Sequence, residues 1–107
     1  MRIAFCFVLL STTLLLNVAI STAADVAQAE TLFRAGRWEE ALAEYDRAIP
    51  ELSGDALAAA LRSAGYCHQV RHKYADAIPY FDRVLAMPDV SGDHRSAALL
   101  RKGYCLR

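Results

Sequence analysis

His68 and His72 stand four residues apart. That spacing puts two imidazoles on one face of a helix, where they can share a metal ion with Cys67 or Asp76 as a nearby third ligand. On such a helix, however, Cys67 points about 100° away from His68, and His72 falls at the helix end. A structural or surface histidine pair fits this arrangement better than a metal centre. Cys67 also has an equivalent, Cys105, each closing a Gly-Tyr-Cys triplet. In an oxidising compartment two thiols can bridge. Equivalent residues in neighbouring helical units lie about 8–10 Å apart, whereas a disulfide needs Cα atoms within roughly 7 Å, so two buried free thiols are favoured. The sequence contains no Ser-His-Asp order, phosphate-cradling loop or paired-carboxylate motif. Glu39-Glu40, Asp46 and Asp82 sit beside Arg47 and Arg83 as on a solvated helix face. The chain reads as a non-enzyme without a cofactor; a small metal-binding helical protein is the alternative that rests on His68 and His72.

The elements that carry these residues are repeated. Ser53-Gly54-Asp55, Ala59-Ala60-Leu61 and Gly65-Tyr66-Cys67 recur as Ser91-Gly92-Asp93, Ala97-Ala98-Leu99 and Gly103-Tyr104-Cys105. The offset is 38, with nine identities in the 17 aligned pairs of 53–69 and 91–107. A second register, at an offset of 36, links Trp38, Ala41, Leu42, Tyr45, Asp46 and Arg47 to Tyr74, Ala77, Ile78, Phe81, Asp82 and Arg83. Periods in this range belong to stacked units that bury apolar faces against one another. Such proteins work through a surface, not a pocket of reacting groups.

At the amino terminus Arg2 is followed by two apolar stretches, broken at Ser11-Thr12-Thr13, and then by Ser21-Thr22-Ala23-Ala24. One basic residue, an apolar stretch and a small-residue end are the marks of a secretory signal peptide, here residues 1–24. Cys6 lies within it. The remaining 25–107 retains all 12 acidic and 11 of 12 basic residues, a formal charge of −1. Without a basic excess, neither nucleic acid nor an anionic membrane surface is an expected partner once the signal is removed.

Within 25–107 the periodicity is helical and no strand pattern stands out. Val26, Ala29, Leu32 and Phe33 share one face of a first helix stopped at Gly36. Trp38, Ala41, Leu42, Tyr45, Ala48, Ile49 and Leu52 mark a second. Ser53 or Asp55 is placed to cap a third, running to about Arg71. Tyr74 to Met87 forms a fourth, with Pro79 about a turn inside it and Pro88 closing it. Ser91 or Asp93 caps a fifth, still running at Arg107. Turns of two to six residues imply antiparallel neighbours.

Gly36-Arg37-Trp38-Glu39-Glu40-Ala41-Leu42-Ala43-Glu44-Tyr45-Asp46-Arg47-Ala48-Ile49 resembles the second half of a tetratricopeptide repeat. A second copy follows through Tyr74, Ala77, Ile78, Phe81, Val84, Leu85 and Pro88. The resemblance implies an all-α right-handed solenoid of αα-hairpins: two repeats, about 25–52 and 55–88, plus the first helix of a third, 93–107. It sets Ala29, Gly65 and Gly103 at the helix crossings, Ala29 against Ala41 and Gly65 against Ala77. The spacings exceed the family's usual period of about 34, His72 replaces the turn glycine of the second copy, and His68 stands where a large apolar or aromatic residue is common.

By position, the resemblance implies a concave groove lined by the first helix of each repeat. Val26, Glu30, Phe33 and Arg34 would come from the first copy, Arg62, Tyr66, Gln69 and Val70 from the second, and Leu100, Tyr104 and Arg107 from the third. Aromatics beside arginines are common at binding hot spots. Val26 and Glu30 replace two residues of the family's clamp for carboxyl-terminal peptides, so chaperone-tail binding is not implied. The function this implies is a protein-interaction scaffold that takes a peptide or partner helix in the periplasm or outside a bacterial cell. The alternative is an amino-terminal interaction domain or fragment of a larger exported multi-repeat protein. The fifth helix, apolar beyond what one neighbour can cover, adds self-association as a further expectation.

Intact-mass analysis of the exported protein should give a mature amino terminus at Ala24 or Asp25. Retention of Met1 would contradict the reading of residues 1–24.

Overall fold

The computed structural model describes residues 26–107. The proposed signal peptide lies outside the described residues. Among them the structure is helical throughout, with no strand. Residues 26–34 belong to α1, followed by α2 (Trp38–Ala48), α3 (Gly54–Val70), α4 (Tyr74–Ala86) and α5 (Gly92–Cys105). A short 3₁₀ turn, Ile49–Glu51, extends α2, where Pro50 lacks the N–H needed to continue the α-helical ladder. α5 ends at Cys105, so Arg107 lies beyond the helix expected to contain it.

The turn chemistry divides into one part that matches the sequence expectation and one that does not. α1 stops at Gly36, whose φ of 75° is left-handed. Gly36 N–H donates to Phe33 O at 3.1 Å and Arg37 N–H to Leu32 O at 2.9 Å, the paired bonds that satisfy a helix end. The same pair closes α3, from His72 to Gln69 O (3.0 Å) and from Lys73 to His68 O (2.9 Å). There the left-handed residue is His72, with φ 60°. The expected side-chain caps are absent. Ser53 and Ser91 occupy the cap positions of α3 and α5, yet neither side chain bonds a helix N–H. Instead Asp55 reaches across to accept from the backbone N–H of Ser91 at 3.4 Å, joining the two equivalent turns.

Three-residue turns at 35–37 and 71–73 connect α1 to α2 and α3 to α4. α3 packs on α2, α4 on α3 and α5 on α4, and α3 additionally packs on α5. α4 runs unbroken through Pro79. Its terminal carbonyls are satisfied from α5: Arg95 donates to Leu85 O at 3.3 Å and Met87 O at 2.7 Å. Tyr80 OH donates to Asp46 at 2.7 Å and ties α4 back to α2.

The core is unusual in its smallness. Its large, fully buried side chains are Phe81, Leu61, Val84 and Cys67, and much of the rest is alanine: Ala29, Ala41, Ala58, Ala60, Ala64, Ala77 and Ala98. Small residues at the crossings let helix axes approach closely. At Gly65 the closest approach is made by aromatic residues. The side chains nearest it are Phe81 and Tyr80, and a Cβ at Gly65 would lie 2.8 Å from two ring carbons of Phe81. Ala77 is buried one turn earlier on α4.

At Gly103, the equivalent position on α5, an added Cβ would meet nothing within 4 Å. The same substitution should therefore act with opposite sign in the two copies. Gly65→Ala is expected to destabilise the fold by about 1–3 kcal/mol through overpacking. Gly103→Ala should stabilise it by roughly 0.5–1 kcal/mol by removing a helix-interior glycine. Urea unfolding of both variants tests the pair; equal shifts would mean that Gly65 and Phe81 are not in contact.

Candidate functional site

α1, α3 and α5 present a continuous surface on which three clefts adjoin. The largest, about 790 Å³, lies between the ends of α3 and α5 and is walled by Tyr66, Gln69, Val70, His72, Tyr74, Leu100, Tyr104 and Arg107. A second, about 540 Å³, is walled by Phe33, Arg34, Trp38, Arg62 and Tyr66. Tyr66 and Arg101 border both. A third, about 320 Å³, takes Val26, Glu30, Phe33 and Arg34. Every residue placed in the groove from sequence thus lines one of these clefts. They are not equally available: Gln69 is buried, whereas Leu100 and Tyr104 stand open.

The centre of the surface is aromatic. Phe33 meets Trp38 edge-on with ring centroids 5.2 Å apart, and Tyr66 lies 5.5 Å from Phe33 and 5.8 Å from Trp38. The Arg101 guanidinium sits 4.4 Å above the Tyr66 ring, a separation at which the ring quadrupole attracts the cation. At the far end Tyr104 meets Tyr74 at 6.1 Å, and Tyr74 OH is 2.8 Å from His72 Nδ1. Sequence reasoning missed Arg101, Trp38, His72 and Tyr74 as walls of the clefts. Arg101 was within reach, since it precedes Tyr104 by three residues and shares its helix face. Trp38 and Tyr74, which the periodicity sets at the starts of the second and fourth helices, wall the clefts as well.

Charge is distributed unevenly. Most acidic side chains with a partner are engaged away from the clefts: Glu40 with Arg37, Glu44 with Arg47, Glu39 with Arg71 and Asp82 with Lys102. Across the clefts run Arg34, Arg62, Arg101 and Arg107. Arg34 has Glu30 at 4.0 Å. Arg62 Nη1 is 2.9 Å from His94 Nδ1, and its Nε is buried without a partner. Among the described residues, Arg101 and Arg107 have no carboxylate within ion-pairing distance. Both lie over tyrosine rings instead.

The two candidate metal ligands diverge. The His68 ring packs on Tyr80 at 5.3 Å, while His72 is engaged by Tyr74. Among the described residues no three of His, Cys, Asp and Glu are grouped to hold a metal ion. Cys67 and Cys105 are buried and free. Burial pushes the Cys67 thiol up to about 11 and that of Cys105 up as well, which makes both poor nucleophiles at neutral pH. The arrangement offers stacking platforms and guanidinium donors, the equipment of recognition. No known family model, curated protein or solved structure shows a match to the chain.

His68 gives this region a pH dependence. Its Nδ1 is buried without a hydrogen-bond partner, and desolvation lowers its pKa below the ordinary value of 6.5. The folded state therefore favours the neutral ring. That contribution is full above pH 6.5 and is lost as pH falls through the lowered value. The thermal midpoint should fall on acidification below about pH 6.5, where the ring titrates when unfolded. His68→Phe, which keeps the stack on Tyr80, should flatten that part of the profile. An unchanged profile would place the titrating group elsewhere.

Proposed function

We propose that this chain is a tetratricopeptide-type interaction module, a right-handed solenoid of αα-hairpins exported to the cell envelope. Its first helices line a groove that takes a peptide or a partner helix. The observation that carries this reading is the strip in which Phe33 of α1, Tyr66 of α3 and Arg101 of α5 follow one another, with Trp38 of α2 packed against Phe33 and Tyr66. The direct α3–α5 interface supports it, because stacking first helix on first helix is what lines up such a strip. So does the left-handed stop at the same point of each unit, Gly36 and His72. Aromatic and arginine side chains, rigid or planar and half-desolvated, supply most of the energy at protein interfaces.

The test is affinity capture from envelope extract on the full-length protein, followed by titration of whatever partner is retained. Arg101→Ala and Tyr66→Ala are each expected to weaken that partner by roughly tenfold or more, with helical content unchanged by circular dichroism. Arg47→Ala, an exposed change on α2, should have no effect. Full affinity in both cleft variants would remove the groove as the binding surface.

A further inference from the structure

The cleft between α1 and α3 is one-sided in charge. Arg34, Arg62 and Arg101 wall it together with Phe33, Trp38 and Tyr66, and among the described residues no acidic side chain does. Residues 25–107 as a whole have no such excess, with 12 acidic and 11 basic residues. Nor do neighbours neutralise the three cations. Arg62 Nη1 is 2.9 Å from His94 Nδ1. A guanidinium has only donors, so the imidazole accepts and brings no negative charge. Asp55 lies beyond that ring, 4.0 Å from its Nε2, and Arg62 Nε is buried without a partner. Arg101 turns back over α3 onto the Tyr66 ring and, among the described residues, pairs with no carboxylate. Arg34 has Glu30 alone, at 4.0 Å and with both side chains more than half exposed, a contact worth little in water.

We propose that this cleft takes an acidic peptide segment, whose side-chain carboxylates meet Arg34, Arg62 and Arg101 and whose intervening aromatic side chains pack on Phe33 and Tyr66. The proposal rests on the groove reading above and adds the chemistry of the ligand. A guanidinium without a counter-ion holds out planar donors that a carboxylate can accept two at a time. Neighbouring helices stand roughly 8–10 Å apart, so about five or six extended residues reach from α1 across α3 to α5. Such a segment passes three guanidiniums on three helices, which suits several acidic side chains in one stretch and not a single terminal carboxylate. A nucleic acid fits less well: outside the cleft 25–107 is net negative, and a long polyanion would be repelled there.

The probe is a dye-labelled, carboxyl-amidated octapeptide of alternating glutamate and tyrosine, titrated against the full chain by fluorescence anisotropy. The same peptide with glutamine in place of glutamate is titrated beside it. The glutamate probe is expected to bind saturably, with an affinity that falls as salt rises, and the glutamine probe to bind roughly tenfold or more weakly. Arg101→Glu should weaken the glutamate probe by at least a similar factor, with an unchanged circular dichroism spectrum; Arg47→Ala should bind as the parent does. The proposal is overturned if the glutamate probe does not saturate, if the glutamine probe binds equally well, or if Arg101→Glu leaves the affinity unchanged. It is equally overturned if a single-stranded oligonucleotide of the same charge binds more tightly than the glutamate probe. A partner captured from envelope extract separates this proposal from the reading beneath it. Release by Tyr66→Ala but not by Arg101→Glu would keep the groove and remove its acidic ligand, whereas full affinity in both would remove the groove itself.

Discussion

Where α3 meets α4, a Cβ on Gly65 would sit 2.8 Å from the Phe81 ring and 3.2 Å from the Cβ of Tyr80, so only a residue without a side chain permits the separation seen. The surrounding packing depends on that closeness. A core rich in alanine removes little apolar area from water per residue. Its cohesion must come from many short contacts, and dispersion decays steeply with distance. Phe81 is the largest fully buried side chain, and Gly65 makes room for it. With that contact made, the Tyr80 hydroxyl reaches Asp46 on α2 and the His68 ring lies against Tyr80.

The same close packing accounts for how charge is used. Helices that touch through alanine leave their long polar side chains only the outer surfaces and the seams. Around α2 carboxylates pair with arginines three residues away: Arg37 with Glu40, an exposed contact worth about 0–1 kcal/mol, and Arg47 with Glu44, whose side chain is largely covered. At the seams the cations have structural work: Arg95 holds the carbonyls that end α4, and Lys102 reaches Asp82. The near-neutral total therefore conceals a cleft surface on which Arg101 and Arg107 rest over tyrosines, Arg101 at 4.4 Å above Tyr66. A guanidinium held this way is already ordered, so a ligand that engages it gives up less conformational freedom on binding.

Periodicity made much of this legible. The apolar positions at three- and four-residue spacing put the helices in place, and Gly36 and Pro88 marked two of the ends. The repeated Gly-Tyr-Cys triplet marked α3 and α5 as counterparts, although of the two glycines only Gly65 has a close neighbour. What the sequence concealed was pairwise. Ser53 and Ser91 have the right type to cap their helices, yet neither side chain bonds a helix N–H, and Asp55 spans the two turns instead. The small residue at Gly65 was legible, but not that the space beside it is filled by the ring of Phe81. The placement of Arg101 over Tyr66 needed the rotation of α5 about its own axis relative to α3, which no single-helix pattern contains.

His72 shows how such a pairwise term can override local preference. A non-glycine residue in the left-handed region carries a cost on the order of 1 kcal/mol or more, and Gly36 fills the matching turn without it. The imidazole has something the glycine lacks. Its Nδ1 lies 2.8 Å from the Tyr74 hydroxyl, and Tyr74 in turn packs edge-on against Tyr104 of α5. The turn after α3 is thus joined through two tyrosine rings to the far wall of the largest cleft. Glycine would relax the backbone and sever that chain at its first link, leaving Tyr74 held only by its ring contacts. The strained histidine and the cleft it borders are therefore one feature: the local cost offsets the freedom that Tyr74 of α4 and Tyr104 of α5 would otherwise have.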